Sequence, residues 1–224
     1  STAPLHFSNY FNLIKEDEST LKSEPPHAGG PFGVVRAYGG QLVPQAVNAF
    51  IMVNPFLVPH TVNYKFIAPV KPTFPIHYKL SSYDDCHIFR VFVYQNERIF
   101  ATEPELLDSS QFPCPSYGPP SDYANHLSSE ISEVTRAILQ SMSNDPLETR
   151  PIESPLCPMS EKPRISYWMR IKPEVRGIDG LPVLLFISDF ASLQVAEEIL
   201  LKSRIRISLA ASLHHSVWIH EAQL

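Results

Sequence analysis

Glycine is scarce in this chain, 8 of 224 residues, while proline reaches 22. Average usage is about 7% and about 5% respectively, so many of the connections are expected to be stiff. Charge is also sparse: 18% of residues are charged, against roughly 25% in an average globular chain. The 44% hydrophobic content excludes disorder throughout. Positive charge has no cluster, since 18 basic residues face 23 acidic ones for a net charge of −5 and no lysine or arginine run occurs. Neutralising a phosphate backbone needs a concentrated basic surface, so no nucleic-acid partner is expected. No apolar run near either terminus approaches the roughly 20 residues that cross a bilayer, and Ser1-Thr2-Ala3-Pro4 lacks a basic segment leading into an apolar one. The expectation is an intracellular chain without a membrane span. Only three cysteines occur, Cys86, Cys114 and Cys157. They are odd in number and far apart, and two sit beside prolines, so neither a disulfide framework nor a zinc knuckle fits. The absence of any Asn-x-Ser/Thr acceptor agrees with an intracellular address.

Several signatures of chemistry are missing as well. There is no Gly-x-Ser-x-Gly elbow, no Gly-x-x-x-x-Gly-Lys-Ser/Thr loop, no His-Glu-x-x-His and no dinucleotide fingerprint. What is present begins with length: 224 residues allow one large domain or two small similar ones. After the turn-rich Gly29-Gly30-Pro31-Phe32-Gly33, the run Leu42, Val43, Ala46, Val47, Ala49, Phe50, Ile51, Val53 predicts a helix buried nearly all round, with Pro44 tolerated in its first turn. Asn54-Pro55 stops it. Four strand-like runs follow, His60–Phe66, Pro75–Ser81, Cys86–Tyr94 and Arg98–Thr102, with a hairpin at Gln95-Asn96-Glu97. Residues 103–123 read as a proline-rich surface linker, and the stripe Leu127, Ile131, Val134, Ile138, Leu139, Met142 as a packing helix. The second half repeats the outline. Arg150–Glu153 and Ile165–Ile171 are strand-like, Leu181–Leu193 is apolar and helical, and Ile205–Ile219 is extended. The expected division is therefore 1–107, a linker with a helix at 108–149, and 150–224.

Two places hold candidate chemistry. Asp189 interrupts the apolar run Leu181-Pro182-Val183-Leu184-Leu185-Phe186-Ile187-Ser188-Asp189-Phe190-Ala191. Desolvation there disfavours the charged carboxylate and raises its pKa toward a range useful to a general base. Equally, Ser188 or Asp189 could be the N-cap of a helix through Leu193, Ala196, Ile199 and Leu200. In the C-terminal stretch, strand alternation would put Ser212, His214, Ser216, Trp218 and His220 on a polar face, and Leu213, His215, Val217 and Ile219 on a core face. His214 and His220 would then lie about 20 Å apart and cannot share an ion; His214 and His215 point to opposite faces. No metal is expected. Gly39-Gly40-Gln41 at a helix N-terminus could admit a ligand oxygen to backbone amides or could serve close packing.

The residues then resemble a known family. Val35-Arg36-Ala37-Tyr38-Gly39-Gly40-Gln41-Leu42-Val43-Pro44-Gln45-Ala46 resembles the Arg-x-Phe/Tyr-Gly-Gly-Gln-x-x-x-Gln-Ala segment of the type II acyl-CoA thioesterase (TesB-like) family. His60-Thr61 to Phe66-Ile67-Ala68-Pro69, Arg90-Val91 to Gln95-Asn96, Ile99-Phe100, Arg150-Pro151-Ile152-Glu153, Trp168-Met169-Arg170, Ser188-Asp189 and His215-Ser216-Val217-Trp218-Ile219-His220 are similar to further segments in the family's order. The resemblance implies an α+β double hotdog, in which a long helix is wrapped by an antiparallel sheet twice. It implies hydrolysis of acyl-CoA to free fatty acid and CoA, with no cofactor, no metal and no covalent acyl-enzyme. Carried over residue by residue, the water-activating aspartate is Asp189 and the hydroxyl is Ser212. Gly39, Gly40, Gln41, His215 and Trp218 fall in the motifs expected to bind substrate.

Departures qualify this. The family's second-unit strands continue beyond the His-Ser-x-Trp segment and one carries a third catalytic residue, a glutamine, with no counterpart up to Leu224. His214 stands where aspartate is usual, Asn63 where histidine is, and Val70 where glycine is. The second hotdog is thus expected to be truncated, and a homo-oligomer or a partner chain to cover the incomplete sheet. The competing readings are a non-catalytic hotdog protein that binds acyl-CoA or a partner subunit, and a hotdog dehydratase, whose histidine and hydration motif are not recognisable here. Relatives suggest a peroxisomal or cytoplasmic address in lipid metabolism, although Ala222-Gln223-Leu224 is not a Ser-Lys-Leu type signal.

Overall fold

In a computed structural model of the chain, the described residues are 10–25, 27, 36–82, 88–96, 98–102, 147–153, 166–171, 180–189, 203 and 211–220. The expected linker and the helix over 123–142 lie outside them. The chain forms two compact units, one made of Ser1–Cys114, Gly177–Phe190 and Ser212–Leu224, the other of Pro115–Arg176 and Ala191–Ala211.

The first unit is built on helix α1, Gly39–Val53. Residues Gly40 to Val47, Ala49 and Phe50 are all buried, which the continuous apolar run demands. The helix begins three residues earlier than its apolar pattern suggests. Pro44 therefore lies in the second turn, where it removes the N–H that would have bonded the carbonyl of Gly40. No side chain caps the start; the Tyr38 carbonyl instead accepts from the N–H groups of Gln41 (3.0 Å) and Leu42 (3.4 Å). Asn54 closes the end, its backbone N–H on the Phe50 carbonyl at 2.8 Å and its side-chain Nδ2 on the same oxygen at 3.3 Å.

Among the described residues seven strands wrap this helix. They are β1 (Ile14–Lys15), β2 (Thr20–Ser23), β3 (Thr61–Phe66), β4 (Ile76–Ser82), β5 (Phe89–Gln95), β6 (Arg98–Thr102) and β9 (His214–Trp218), in the spatial order β1-β2-β4-β5-β6-β3-β9. Every pairing is antiparallel. Alternation sets the core face: Ile76, Tyr78 and Leu80 of β4 and Val91 and Val93 of β5 turn inward with Leu21 and Val62, onto Val43, Val47 and Phe50 of α1. The expected hairpin joins β5 to β6. Gln95 pairs with Arg98, and Asn96 takes the left-handed conformation (φ 48°) that such two-residue loops require. Gln95 is itself buried and holds the preceding loop: its Nε2 donates to the carbonyls of Lys71 (2.9 Å) and Phe74 (3.1 Å), and its Oε1 accepts from the Lys71 N–H (3.0 Å).

A second helix, α2 (Leu181–Ser188), packs on α1. Gly180 precedes it at φ 84° and a proline occupies its first turn. Gly40 makes the contact possible, because a Cβ there would lie 2.5 Å from the Phe186 carbonyl oxygen. Tyr38 donates its hydroxyl to that same oxygen at 3.1 Å and sets its ring edge-on to Phe186, centroids 4.9 Å apart. The sequence pattern extends this helix to Leu193; the described helix stops at Ser188, and Asp189 is its C-cap. In the second unit the described elements are β7 (Leu147–Glu153) and β8 (Ser166–Ile171), an antiparallel pair over the two stretches that read as strand-like, with β7 starting three residues before the expected Arg150.

Candidate functional site

The end of α2 and the start of α1 bring Asp189 to the N-terminus of the buried helix. Its carboxylate accepts the Ser212 hydroxyl at 3.2 Å and the Gly40 backbone N–H. His215 Nδ1 lies 3.8 Å from Asp189 Oδ1, the two side chains being 12% and 9% exposed. Gly39 is the wall on which the carboxylate rests: a Cβ there would meet Asp189 Oδ2 at 2.7 Å and the Phe66 ring at 2.9 Å. The glycine pair therefore serves close approach twice over. Gly40 admits the backbone of α2, and Gly39 admits the aspartate.

Opposing forces act on this acid. Burial raises its pKa above the usual carboxylate range; the charge of His215, the Ser212 and Gly40 hydrogen bonds and the charge of Arg36 pull it back down. Burial prevails. The carboxylate also stands at the C-terminal end of α2, whose dipole disfavours an anion, and at the N-terminal end of α1, whose dipole favours one. A base so held keeps a high proton affinity while its geometry is fixed by two donors.

Of the residues singled out in the sequence, Asp189, Ser212, His215, Gly39 and Gly40 come together here. Gln41 does not join them. It is fully buried, and its Nε2 is directed to the Tyr10 carbonyl (3.1 Å) and His27 Nδ1 (3.4 Å). Trp218 sits on β9 opposite Thr61 and is 59% exposed. Strand alternation misplaces one pair: it assigns Ser212 and His215 to opposite faces, yet both reach Asp189. The cause is a bend at Leu213, ahead of the first residue of β9, so the two-residue period does not extend back to Ser212. From His215 onward the period holds, with Ile219 buried and Ser216 and Trp218 exposed. Leu213, placed on the core face by the same pattern, is exposed for the same reason.

Two contributors lie in family-like segments of the sequence but have no site role in its reading. Arg36 acts by charge from just before α1. Ser188 Oγ contacts His215 Nε2 at 2.8 Å and donates to the Leu185 carbonyl at 2.7 Å; its position directly before Asp189 was the only available signal. Among the described residues no cluster of three or more His, Cys, Asp or Glu could hold a metal ion, and no helix is long and apolar enough to cross a membrane.

No family model and no curated protein matches the chain. Solved structures do match. A tesB protein of Mycobacterium avium subspecies paratuberculosis superposes with a TM-score of 0.68 at 18% identity, over 96% of this chain and 79% of that one. The fold is the hotdog. Acyl-CoA thioesterase II TesB2 of Mycobacterium marinum gives 0.62 at 17% identity over 94% and 78% of the two chains. A conserved protein of unknown function with a hotdog fold from Alicyclobacillus acidocaldarius gives 0.60 at 15%, over 95% and 77%. At these identities it is the fold that is shared. In hotdog terms α1 is the filling and the antiparallel sheet the wrapper, and Asp189 is delivered to the filling's N-terminus by α2.

Proposed function

We propose that this chain is an acyl-CoA thioester hydrolase that releases free fatty acid and CoA by activated water. One observation carries the reading: a buried carboxylate of raised proton affinity, Asp189, is held by the Ser212 hydroxyl and the Gly40 N–H at the amino end of the central helix. Asp189 takes a proton from water, and Ser212 orients that water or the thioester carbonyl. The positive end of α1 favours the oxyanion that forms as the carbonyl is attacked. Gly39 and Gly40 shape the floor of the site, with His215 beside the carboxylate. Thioesterase names among the solved structures of the same fold support the same choice.

The architecture proposed is a double hotdog, 1–107 and 150–224 joined by 108–149. What supports it is that α2 packs on α1 and β9 pairs with β3, each joining a second-half element to a first-half one. A homo-oligomer, or a partner chain laid along the sheet, belongs to the same proposal. The test is release of CoA thiol from short, medium and long acyl-CoAs by the chain and by Asp189→Asn. Hydrolysis that falls by about 10² or more in the variant is the expected result. Equal rates sink the assignment of Asp189, and no release by the folded chain points instead to a protein that binds acyl-CoA without cleaving it.

A further inference from the structure

His215 is held in one specific way. Ser188 Oγ has a single proton, and the Leu185 carbonyl 2.7 Å away can only accept it. The 2.8 Å contact between Ser188 Oγ and His215 Nε2 must then be donated by the imidazole. A neutral ring with its proton on Nε2 presents a bare lone pair on Nδ1, and Nδ1 is the atom that faces Asp189 Oδ1 at 3.8 Å. In the neutral ring the serine thus selects the tautomer whose Nδ1 can accept a proton from Asp189, in place of the one that would donate a hydrogen bond to it.

We propose that His215, locked by Ser188, takes from Asp189 the proton of the attacking water and delivers it to the departing sulfur. This rests on the hydrolase reading above. As water adds to the thioester carbon its proton passes to the Asp189 carboxylate. The carboxylic acid gives that proton to His215 Nδ1, restoring the carboxylate and forming an imidazolium whose Nε2–H stays on Ser188. The C–S bond breaks with its electron pair on sulfur, and the Nδ1 proton closes the balance as CoA thiol, returning His215 to its starting tautomer. Without such an acceptor, a buried acid of high proton affinity is slow to reset. Among the described residues the charged or titratable groups that act on Asp189 are His215 from β9 and Arg36 from the segment before α1; Ser212 and the Gly40 N–H are neutral donors.

The experiment compares CoA release by the wild-type chain, Asp189→Asn and His215→Ala across pH, with and without added imidazole. The expected loss in His215→Ala is on the order of 10²-fold in kcat with KM changed by less than about twofold. Its acid limb should move to higher pH, because His215 in its protonated form helps hold the Asp189 pKa down. Imidazole should restore rate to His215→Ala and none to Asp189→Asn. Wild-type kcat in His215→Ala, or a slowed variant with neither imidazole response nor a moved limb, overturns the relay. An Asp189→Asn variant at full rate overturns the relay and the hydrolase reading together. Independently of any activity, 15N chemical shifts of His215 in the wild-type chain should show the neutral ring protonated on Nε2. Protonation on Nδ1 instead removes the basis of the proposal.

Discussion

Two buried tyrosines in the sheet offer a matched test of how the core handles polar groups. Tyr78 of β4 is 0% exposed and donates its hydroxyl to Gln45 Oε1 of α1. That glutamine is fully buried too, its Nε2 donating to the Tyr10 carbonyl and to Ser23 Oγ, each at 2.7 Å. Tyr64 of β3 is 3% exposed, and its hydroxyl has no hydrogen-bond partner among the described residues. Burial raises both phenol pKa values well above their usual range, so both rings are neutral at ordinary pH and charge does not enter the comparison. Replacing either by phenylalanine removes one oxygen and leaves the ring packing intact. For Tyr78→Phe the loss strands Gln45 Oε1 in the core, which costs about 1–3 kcal/mol. Taking about 2 kcal/mol, and a shift of about 2–4 °C per kcal/mol for a chain of this size, the midpoint of thermal unfolding should fall by roughly 4–8 °C. For Tyr64→Phe the removed oxygen was desolvated without compensation, so the midpoint should hold or rise. Circular-dichroism melts at one pH decide the matter. A fall in Tyr64→Phe equal to that in Tyr78→Phe would refute the distinction between a paired and an unpaired buried hydroxyl.

The glycine pair should separate stability from chemistry. Gly40→Ala drives a methyl group against the Phe186 carbonyl oxygen, a backbone atom that cannot step aside, and should cost about 1–3 kcal/mol in denaturant unfolding. Gly39→Ala meets side chains, Asp189 Oδ2 and Phe66, which can move; it should lower CoA release far more than it lowers the melting midpoint, and the reverse order would contradict the role given to Gly39. Asp189 itself should oppose stability at neutral pH. Its folded pKa lies above its unfolded one, so the folded state binds the extra proton and stability falls as pH rises from the ordinary carboxylate value through the raised one. Asp189→Asn should therefore melt higher than the wild type near pH 7, with the gap closing as pH is lowered toward 4, as melts of both across pH would show.

Much of the first unit was legible because its signals are local. The run from Leu42 to Val53 could only be a buried helix, and β3 to β6 carry enough alternation to be seen. Before Gly29 nothing was read as structure, although β1 and β2 extend the sheet there. The first is two residues long and the second four, too short for a period to emerge, and the fully buried Leu21 is flanked by Thr20 and Lys22. Asp189 stood out as a charge among apolar residues, while its relation to Ser212 did not follow from strand geometry, since a single bend at Leu213 rotates the hydroxyl to the other face. Ser188 reads as a cap and as part of the family-like Ser188-Asp189 pair, but its contact with His215 does not follow from either, because that partner is remote in sequence and the contact is a product of the fold.

The pairing of β9 with β3, Thr61 facing Trp218 and Lys65 facing His214, joins segments separated by most of the chain. Closing so long a loop is entropically costly and slow relative to the local hairpin of β5 and β6. On the ribosome α1 and the strands through β6 emerge well before Ser212 and His215 exist. The carboxylate, the hydroxyl and the imidazole can meet only after β9 docks, so a nascent chain can fold its scaffold first while its site stays unassembled until β9 has emerged.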